Sequence, residues 1–231
     1  MNLKSVQTRI LFWAGICLLL TAGIIILYSA ISERNYAIKA AEERSLSATK
    51  GCAAQIRTEL EAAFAVTRTL AQLSASVKDE DNPIDIDREQ INGLLRKVLE
   101  ENSHLLAVFM CWEPEAFDLL DSGYADMEGH DKTGRFIPYW SRGKNDEISL
   151  VPLINYDKRE DLENYYQYIK KRKKECILGP MTYPVNGKKM LMVRIESPII
   201  ADGEFYGIAG VDLRMDFFQK MVDEMSSDKL G

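Results

Sequence analysis

The chain has 231 residues and a formal net charge of −6, and 46% of its residues are hydrophobic. This acidic balance argues against a nucleic-acid partner, because binding to a phosphate backbone requires a surplus of basic side chains. The four cysteines, at positions 17, 52, 111 and 176, lack C-x-x-C spacing, which excludes the usual zinc and disulfide frameworks. Free thiols are predicted, with a Cys111–Cys176 bridge as the alternative.

The first predicted element is a transmembrane helix over residues 10–32. This run of 23 residues contains no charge, and at 1.5 Å per residue it exceeds the roughly 30 Å hydrocarbon core of a bilayer. A cleaved signal peptide is the alternative, although its apolar core spans only about 7–15 residues. Residues 1–9 are expected in the cytoplasm. The positive-inside rule does not fix this orientation, because Lys and Arg flank the run on both sides.

Residues 33–78 are predicted to continue the membrane segment as one long helix. No Gly or Pro interrupts residues 32–50, and apolar or small side chains recur in steps of three and four from Cys52 to Val77. This periodicity is typical of an amphipathic helix. A helix continuous with a membrane span can transmit displacement across the bilayer; it can also be simply a long core helix.

A folded module is predicted over residues 79–225, after a polar break at residues 79–83. Asp87 is the predicted N-cap of a second helix, and the apolar run at residues 104–112 predicts a buried central strand. Further strands are predicted over residues 136–141, 147–150, 176–183, 189–197 and 205–213, and helices over 159–173 and 216–225. This order of elements indicates an α+β fold, with helices packed on one face of an antiparallel sheet.

Catalysis finds little support in the sequence. Neither His104 nor His130 lies at metal-ligand spacing from a second ligand, and no nucleophile elbow, P-loop or dinucleotide motif occurs. The aspartates at positions 118, 121, 126 and 131 are interpreted as turn formers and helix caps rather than as a calcium site. The basic cluster at residues 170–174 is interpreted as a solvated helix end. No enzyme activity, cofactor or metal is therefore expected.

Aromatic side chains are dense between residues 139 and 206. Many of them are expected in the core, because Tyr and Trp are favoured in strands. Arg142, however, follows the Tyr139–Trp140 pair at the end of a strand, and the Tyr165–Tyr166 pair lies in a connecting segment. Pockets lined by aromatic side chains and a few charged groups bind small amines and amino acids. The ring faces contact the ligand cation, an Asp pairs with it, and an Arg binds the ligand carboxylate.

Five motifs, taken in order, resemble the extracytoplasmic double Cache sensor domain of bacterial methyl-accepting chemotaxis receptors. They are WEPEAFD (112–118), GHDKTGRFIPYW (129–140), YPVNGK (183–188), SPI (197–199) and GIAGVDL (207–213). The resemblance implies a periplasmic or extracellular domain, which sets the orientation that charge left open. It also implies a PAS-like (Cache) antiparallel sheet flanked by the long N-terminal helix, with the ligand held in the membrane-distal module.

The resemblance also implies roles for individual residues. Asp212 matches the Asp that pairs with the ligand amine in amino-acid-binding members. Tyr156 and the Tyr165–Tyr166 pair fall where those members have a Tyr and a Trp-Tyr pair. The predicted ligand-binding residues are Tyr139, Trp140, Arg142, Tyr156, Tyr165, Tyr166, Tyr183 and Asp212.

One departure from the family pattern concerns the ligand. Glu163 stands where amino-acid-binding members have the Arg that binds the ligand carboxylate. An amine, or a ligand whose acid group meets Arg142 or Arg159, therefore fits better than a standard α-amino acid.

The expected protein is a single-pass sensory module of a bacterial cytoplasmic membrane that binds a small amine, amino acid or carboxylate outside the cell or in the periplasm. Residues 226–231 end where a complete receptor would continue with a second module, a second span and signalling helices, so an incomplete receptor is expected. Homodimerisation through residues 52–77 is expected as well. The alternative is a stand-alone anchored interaction protein that presents this domain to a partner receptor or kinase.

Overall fold

The computed structural model describes residues 6–143, 146–154, 156, 165–185 and 187–227, with side chains for all of these except residues 165 and 224–227. The chain divides into two units, Met1–Ala53 and Ala54–Gly231. In the first unit the described residues are helical and none of them is buried. The second unit contains the sheet and the core.

The described helices are α1 (Val6–Ala75), α2 (Arg88–Glu101), α3 (Tyr165–Arg172) and α4 (Met215–Ser227), with short 3-10 turns at Ser76–Lys78 and Asp121–Tyr124. The start of α2 is set by a capping box. Asp87 Oδ1 accepts from the Gln90 N–H at 2.8 Å, and Gln90 Oε1 accepts from the Asp87 N–H at 2.9 Å. Two otherwise unpaired donors are satisfied in this way, and the predicted N-cap is confirmed.

The strands are β1 (Leu105–Trp112), β2 (Pro138–Arg142), β3 (Ile148–Pro152), β4 (Cys176–Val185), β5 (Lys188–Ala201) and β6 (Glu204–Arg214). They form one sheet in the order β3-β2-β1-β6-β5-β4, and every neighbouring pair is antiparallel. All eight residues of β1 are buried, because side chains on both faces of this central strand are covered. The predicted buried strand is confirmed.

One face of the sheet packs against α1 and α2, and we call it the helix face. Its buried side chains include Leu105, Val108 and Met110 of β1, Ile195 and Ile199 of β5, and Ile91, Leu95 and Leu99 of α2. A buried hydrogen bond of 2.8 Å joins Thr67 Oγ1 of α1 to Ser197 Oγ of β5. This bond gives the long helix a specific attachment to the sheet.

The opposite face of the sheet, which we call the loop face, has a second core. Its buried side chains include Phe109, Cys111, Tyr139, Tyr183 and Met192 from the strands and Tyr166 and Ile169 from α3. The two cores follow from strand geometry, because successive side chains of a strand point to opposite faces.

The α+β class and the antiparallel sheet are confirmed. Each predicted strand overlaps an observed one, and residues 165–172 of the predicted helix over 159–173 are helical. The rest of that helix up to residue 164, including Arg159 and Glu163, lies outside the described residues, as does Asn186 of the predicted turn. All four cysteines are free, so Cys111 and Cys176 do not form the alternative bridge.

The aspartate series does more than form turns. Asp118 and Asp121 both pair with the buried Arg88, at 2.6 Å in each case, while Asp131 accepts from the Thr133 N–H at 2.8 Å in a turn. Within the described ranges, no group of three or more His, Cys, Asp or Glu side chains is arranged to hold a metal ion.

Candidate functional site

A fully buried ion pair lies at the centre of the loop face. Arg194 of β5 and Asp212 of β6 are directly opposite each other in the strand register, and both are 0% exposed. Arg194 donates from Nε to Asp212 Oδ1 at 2.7 Å and from Nη2 to Oδ2 at 2.8 Å. The hydroxyl of Tyr139 donates to Asp212 Oδ2 at 2.8 Å. Bidentate geometry and a third donor compensate for the loss of hydration that burial imposes on both charges.

Aromatic rings enclose the guanidinium of this pair. Arg194 Cζ lies 4.4 Å from the centroid of the Phe109 ring and 4.6 Å from that of Tyr183. Ring faces attract a cation through their quadrupole, and more strongly where water is excluded. The ring of Phe109 lies directly over Gly210, where an added Cβ would be 2.2 Å from Phe109 Cζ. Only glycine at position 210 therefore leaves room for this ring.

The tyrosines of the site are held as neutral hydrogen-bonding groups. Tyr183 Oη accepts from the Ile154 N–H at 3.1 Å and donates to the Ile154 carbonyl at 2.9 Å, which ties the chain after β3 to β4. The rings of Tyr139 and Tyr183 lie 5.6 Å apart. Burial raises the pKa of Tyr139 well above its usual value, and the adjacent Asp212 carboxylate raises that pKa further. Tyr139 therefore stays a donor across the physiological range.

Glu196 is another acidic residue on this face. It lies two residues beyond Arg194 on β5, opposite Gly210 on one side and Cys176 on the other. It is 0% exposed, and burial raises the pKa of its carboxyl to about 8. Neither Oε atom has a hydrogen-bond partner in the part of the chain that the structure describes.

A second polar cluster lies at the other side of the loop face. Arg135 Nη2 donates to Tyr166 Oη at 2.8 Å, and its Cζ lies 4.7 Å from the Tyr156 ring centroid and 5.3 Å from that of Tyr166. The Tyr166 hydroxyl donates to Glu113, which also pairs with Lys170 at 2.7 Å. The network orders α3 against the strand ends and surrounds one guanidinium with two aromatic rings.

Cys111 connects the two clusters. Burial raises the pKa of its thiol to about 12, with smaller effects from the charges of Arg135, Glu196 and Arg194. Cys111 lies in one buried cluster with Tyr166 of the Arg135 network and with Tyr139, which bonds to Asp212, so the Arg135 cluster and the Arg194–Asp212 pair are parts of one region of the loop face.

Five of the eight predicted ligand-binding residues come together here. Tyr139, Tyr166 and Tyr183 are buried in one core cluster, with Tyr156 packed against it, and Asp212 is bonded to Tyr139. The side chain of Tyr165 lies outside the described residues.

The structure does not bring Trp140 and Arg142 to this face. Trp140 Nε1 donates to Asn92 Oδ1 of α2 at 3.0 Å, and Arg142 Nη2 donates to the Leu99 carbonyl at 2.5 Å. Both side chains therefore lie on the helix face. The reason is the strand period: Tyr139 points to the loop face, so its neighbour Trp140 must point to the other.

Sequence reasoning missed Phe109, Arg135, Arg194 and Glu196. The available signal was the pair of charged residues Arg194 and Glu196 in the mostly apolar part of β5 that follows Lys189, because buried charges are rare unless they are paired or functional. Arg135 lies inside the motif at residues 129–140 but was not singled out.

Comparison with known proteins places the chain in a family. Residues 91–220 match the family described as methyl-accepting chemotaxis protein-like, first PDC sensor domain. The chain is similar to the methyl-accepting chemotaxis protein TlpQ of Pseudomonas aeruginosa, with 22% identity over 95% of this chain and 34% of that protein. The chain thus spans about a third of the length of this curated relative.

Two solved structures are also similar. The extracellular domain of a candidate histidine kinase, mmHK1S-Z2, shares 36% identity with a TM-score of 0.59, over 71% of this chain and 56% of that one. Methyl-accepting chemotaxis protein X shares 22% identity with a TM-score of 0.65, over 78% of this chain and 64% of that one. The second likeness concerns the fold alone. Since the family match covers more than half of the 231 residues, the chain belongs to the methyl-accepting chemotaxis protein-like family of first PDC sensor domains.

Proposed function

We propose that the chain is a membrane-anchored sensory module whose loop face binds a small polar metabolite, an amine or an amino-acid-like molecule, outside the bacterial cytoplasm. The observation that supports this most is the buried Asp212–Arg194 pair among aromatic rings. A buried ion pair adds little net stability compared with apolar packing. Small-molecule sites, in contrast, are apolar and aromatic surfaces with a few fixed polar groups, which is the composition of this face.

Asp212 is able to accept a ligand donor in addition to its present partners. A carboxylate offers about four lone-pair positions, and three are used by Arg194 Nε, Arg194 Nη2 and Tyr139 Oη. A ligand ammonium takes the remaining position, or it replaces one of the Arg194 bonds. In the second case Arg194 becomes available to a ligand carboxylate.

The strand that holds Arg194 also offers a route for the signal. Ser197 follows Glu196 on β5 and points to the helix face, where it bonds to Thr67 of α1. A ligand that moves β5 at residues 194–196 therefore changes the geometry of a direct contact with the long helix. Because packed elements respond to small shifts by changing between discrete arrangements, this contact is suited to passing on occupancy of the site.

The proposed anchor is the N-terminal part of α1. One helix among the described residues, Val6–Lys78, is long and apolar enough to cross a membrane; its most apolar window has a mean hydropathy of 2.7 and is 0% buried. With the sensor domain outside, protease added to intact cells or spheroplasts is expected to digest the region after Glu33. Protection of that region in intact spheroplasts, with digestion after lysis, contradicts the orientation.

A ligand screen tests the function itself. The full chain, purified in detergent, is assayed by thermal shift against small amines, amino acids and carboxylates. A stabilising ligand is expected to lose its effect in Asp212→Asn and to keep it in the matched control Asp85→Asn, since Asp85 is exposed. Circular dichroism first confirms that each variant is folded.

Two results contradict the proposal. One is a ligand that stabilises Asp212→Asn as much as the wild type. The other is the absence of any stabilising compound across the panel, which favours an anchored interaction protein that presents this domain to another receptor or kinase.

A further inference from the structure

Glu196 is the most unusual polar group of the described chain. Its carboxyl is completely buried, yet both oxygens lack a partner among the described residues. Desolvating a carboxyl without replacing its hydrogen bonds is costly in either protonation state, because the neutral acid still has a donor and acceptors to satisfy. Such a group in a folded core calls for an explanation.

The neighbouring charges do not supply a partner. Arg194 directs Nε and Nη2 at Asp212, so its positive charge is matched by that carboxylate. Among the described residues, the titratable groups that interact with Glu196 are Arg194, Asp212 and the thiols of Cys111 and Cys176. Two carboxyls and one guanidinium leave an excess of one negative charge when Glu196 is ionised. Burial therefore favours the neutral acid in the empty site, and among the described residues an added cation is what would balance the ionised form of Glu196.

Among the described residues, the surroundings of Glu196 do not suit a metal ion. No group of three or more His, Cys, Asp or Glu side chains within the described residues can hold one. Burial, which is complete for Cys111 and partial for Cys176, raises the pKa of both thiols to about 12. Protonated thiols are poor metal ligands. An organic cation is compatible with the same face of the sheet, because Phe109 and Tyr183 already contact a guanidinium there, that of Arg194 two residues before Glu196.

We propose that Glu196 is a second acidic group of the ligand site and that it makes the site selective for a ligand with a protonated amine. The inference rests on the function proposed above and narrows its ligand class. Asp212 and Glu196 are diagonal neighbours on paired strands, with side chains on the same face. Diagonal cross-strand neighbours are about 7–8 Å apart, within the span of one small ligand. An ammonium group has three donors, enough for both Glu196 oxygens and one Asp212 oxygen.

Binding of an ammonium also changes the protonation of Glu196. In the empty site burial holds the pKa of this carboxyl at about 8, with Arg194 lowering it and Asp212 raising it. At pH 7 the carboxyl is therefore mostly protonated, and an incoming ammonium favours its ionised form. Amine binding at pH 7 is expected to release about one proton per site.

The test uses the full chain in detergent with four probes: ethanolamine, 1,4-diaminobutane, L-isoleucine and succinate. Isothermal titration is carried out at pH 7 in two buffers of different ionisation enthalpy, which measures affinity and proton release together. The variants are Glu196→Gln, the charge-retaining Glu196→Asp, and the matched control Glu80→Gln, since Glu80 is exposed.

An amine probe is expected to bind, and Glu196→Gln is expected to weaken it by about 10- to 100-fold, the usual size of one charged hydrogen bond. The proton release disappears in Glu196→Gln, is retained in part in Glu196→Asp, and is unchanged in Glu80→Gln. Glu196→Gln is expected to fold, because it removes a buried titratable group that has no partner.

Three outcomes overturn the inference. If an amine binds Glu196→Gln as tightly as the wild type, the proposed function stands and the role of Glu196 is wrong. If succinate binds and no amine does, both the role of Glu196 and the proposed amine or amino-acid-like ligand class are wrong. If no probe binds the folded wild type, the inference is rejected, and failure of the wider panel described above then rejects the proposed function too.

Discussion

Replacing Arg194 by Met is the substitution that most directly tests how the buried Arg194–Asp212 pair affects stability. Met has similar length and no charge, so it leaves Asp212 fully buried with Tyr139 as its one remaining donor among the bonds described. Breaking a buried pair by removing one partner costs about 3–5 kcal/mol. In a domain of this size 1 kcal/mol corresponds to about 2–4 °C in Tm. The expected decrease in Tm is therefore about 6–20 °C.

The assay is thermal unfolding of the full chain followed by circular dichroism, with two comparisons. Arg68→Met is the matched control: it removes a bidentate pair with Glu175 whose side chains are 45% and 38% exposed, and exposed pairs contribute little. The double variant Arg194→Met/Asp212→Leu is expected to recover most of the loss, because it removes the unpaired charge. A Tm for Arg194→Met within about 2 °C of the wild type would refute the reasoning.

Three further predictions concern the stability of variants at individual positions of the sheet and the long helix. Thr67→Val and Ser197→Ala are each expected to lower the free energy of unfolding, measured by urea titration, by about 1 kcal/mol. The double variant is expected to lose less than the sum of the two, because both substitutions remove the same buried hydrogen bond. Strictly additive losses would contradict a direct contact. Burial raises the pKa of Glu196 to about 8 in the folded state, so the folded state binds an extra proton, and the stability of the wild type relative to Glu196→Gln decreases as the pH rises from about 4.5 to about 8. Parallel stability curves for the two proteins would contradict this. Gly210→Ala places a Cβ 2.2 Å from Phe109 Cζ and is expected to lower the free energy of unfolding by about 1–3 kcal/mol through overpacking. The double variant Gly210→Ala/Phe109→Leu is expected to recover part of this free energy. An unchanged stability of Gly210→Ala would show that the Phe109 ring moves freely.

Local sequence patterns predicted the fold well. The capping residue Asp87, the apolar run of β1 and the six strands all depend on interactions within a few residues, and such interactions can be recognised from spacing. The order of the strands, with β1 and β6 side by side, depends on long-range pairing and was not predicted; the resemblance to sensor domains supplied the PAS-like antiparallel sheet without its strand order.

The candidate site was predicted less completely, for two physical reasons. Trp140 could have been separated from Tyr139 by the period of two that strands impose, but the pair was treated as a unit. The environment of Arg194 and Glu196 depends on the register between β5 and β6, which places Asp212 opposite Arg194 and Gly210 opposite Glu196. No local pattern contains that register.

A crystal structure of the chain with its best-binding amine tests the central claim most directly. The amine nitrogen is expected on the loop face, within about 3 Å of a carboxylate oxygen of Asp212 or Glu196, with Phe109 and Tyr183 at its sides. Ligand density elsewhere on the protein, with the Asp212–Arg194 pair unchanged and the loop face unoccupied, would contradict the claim.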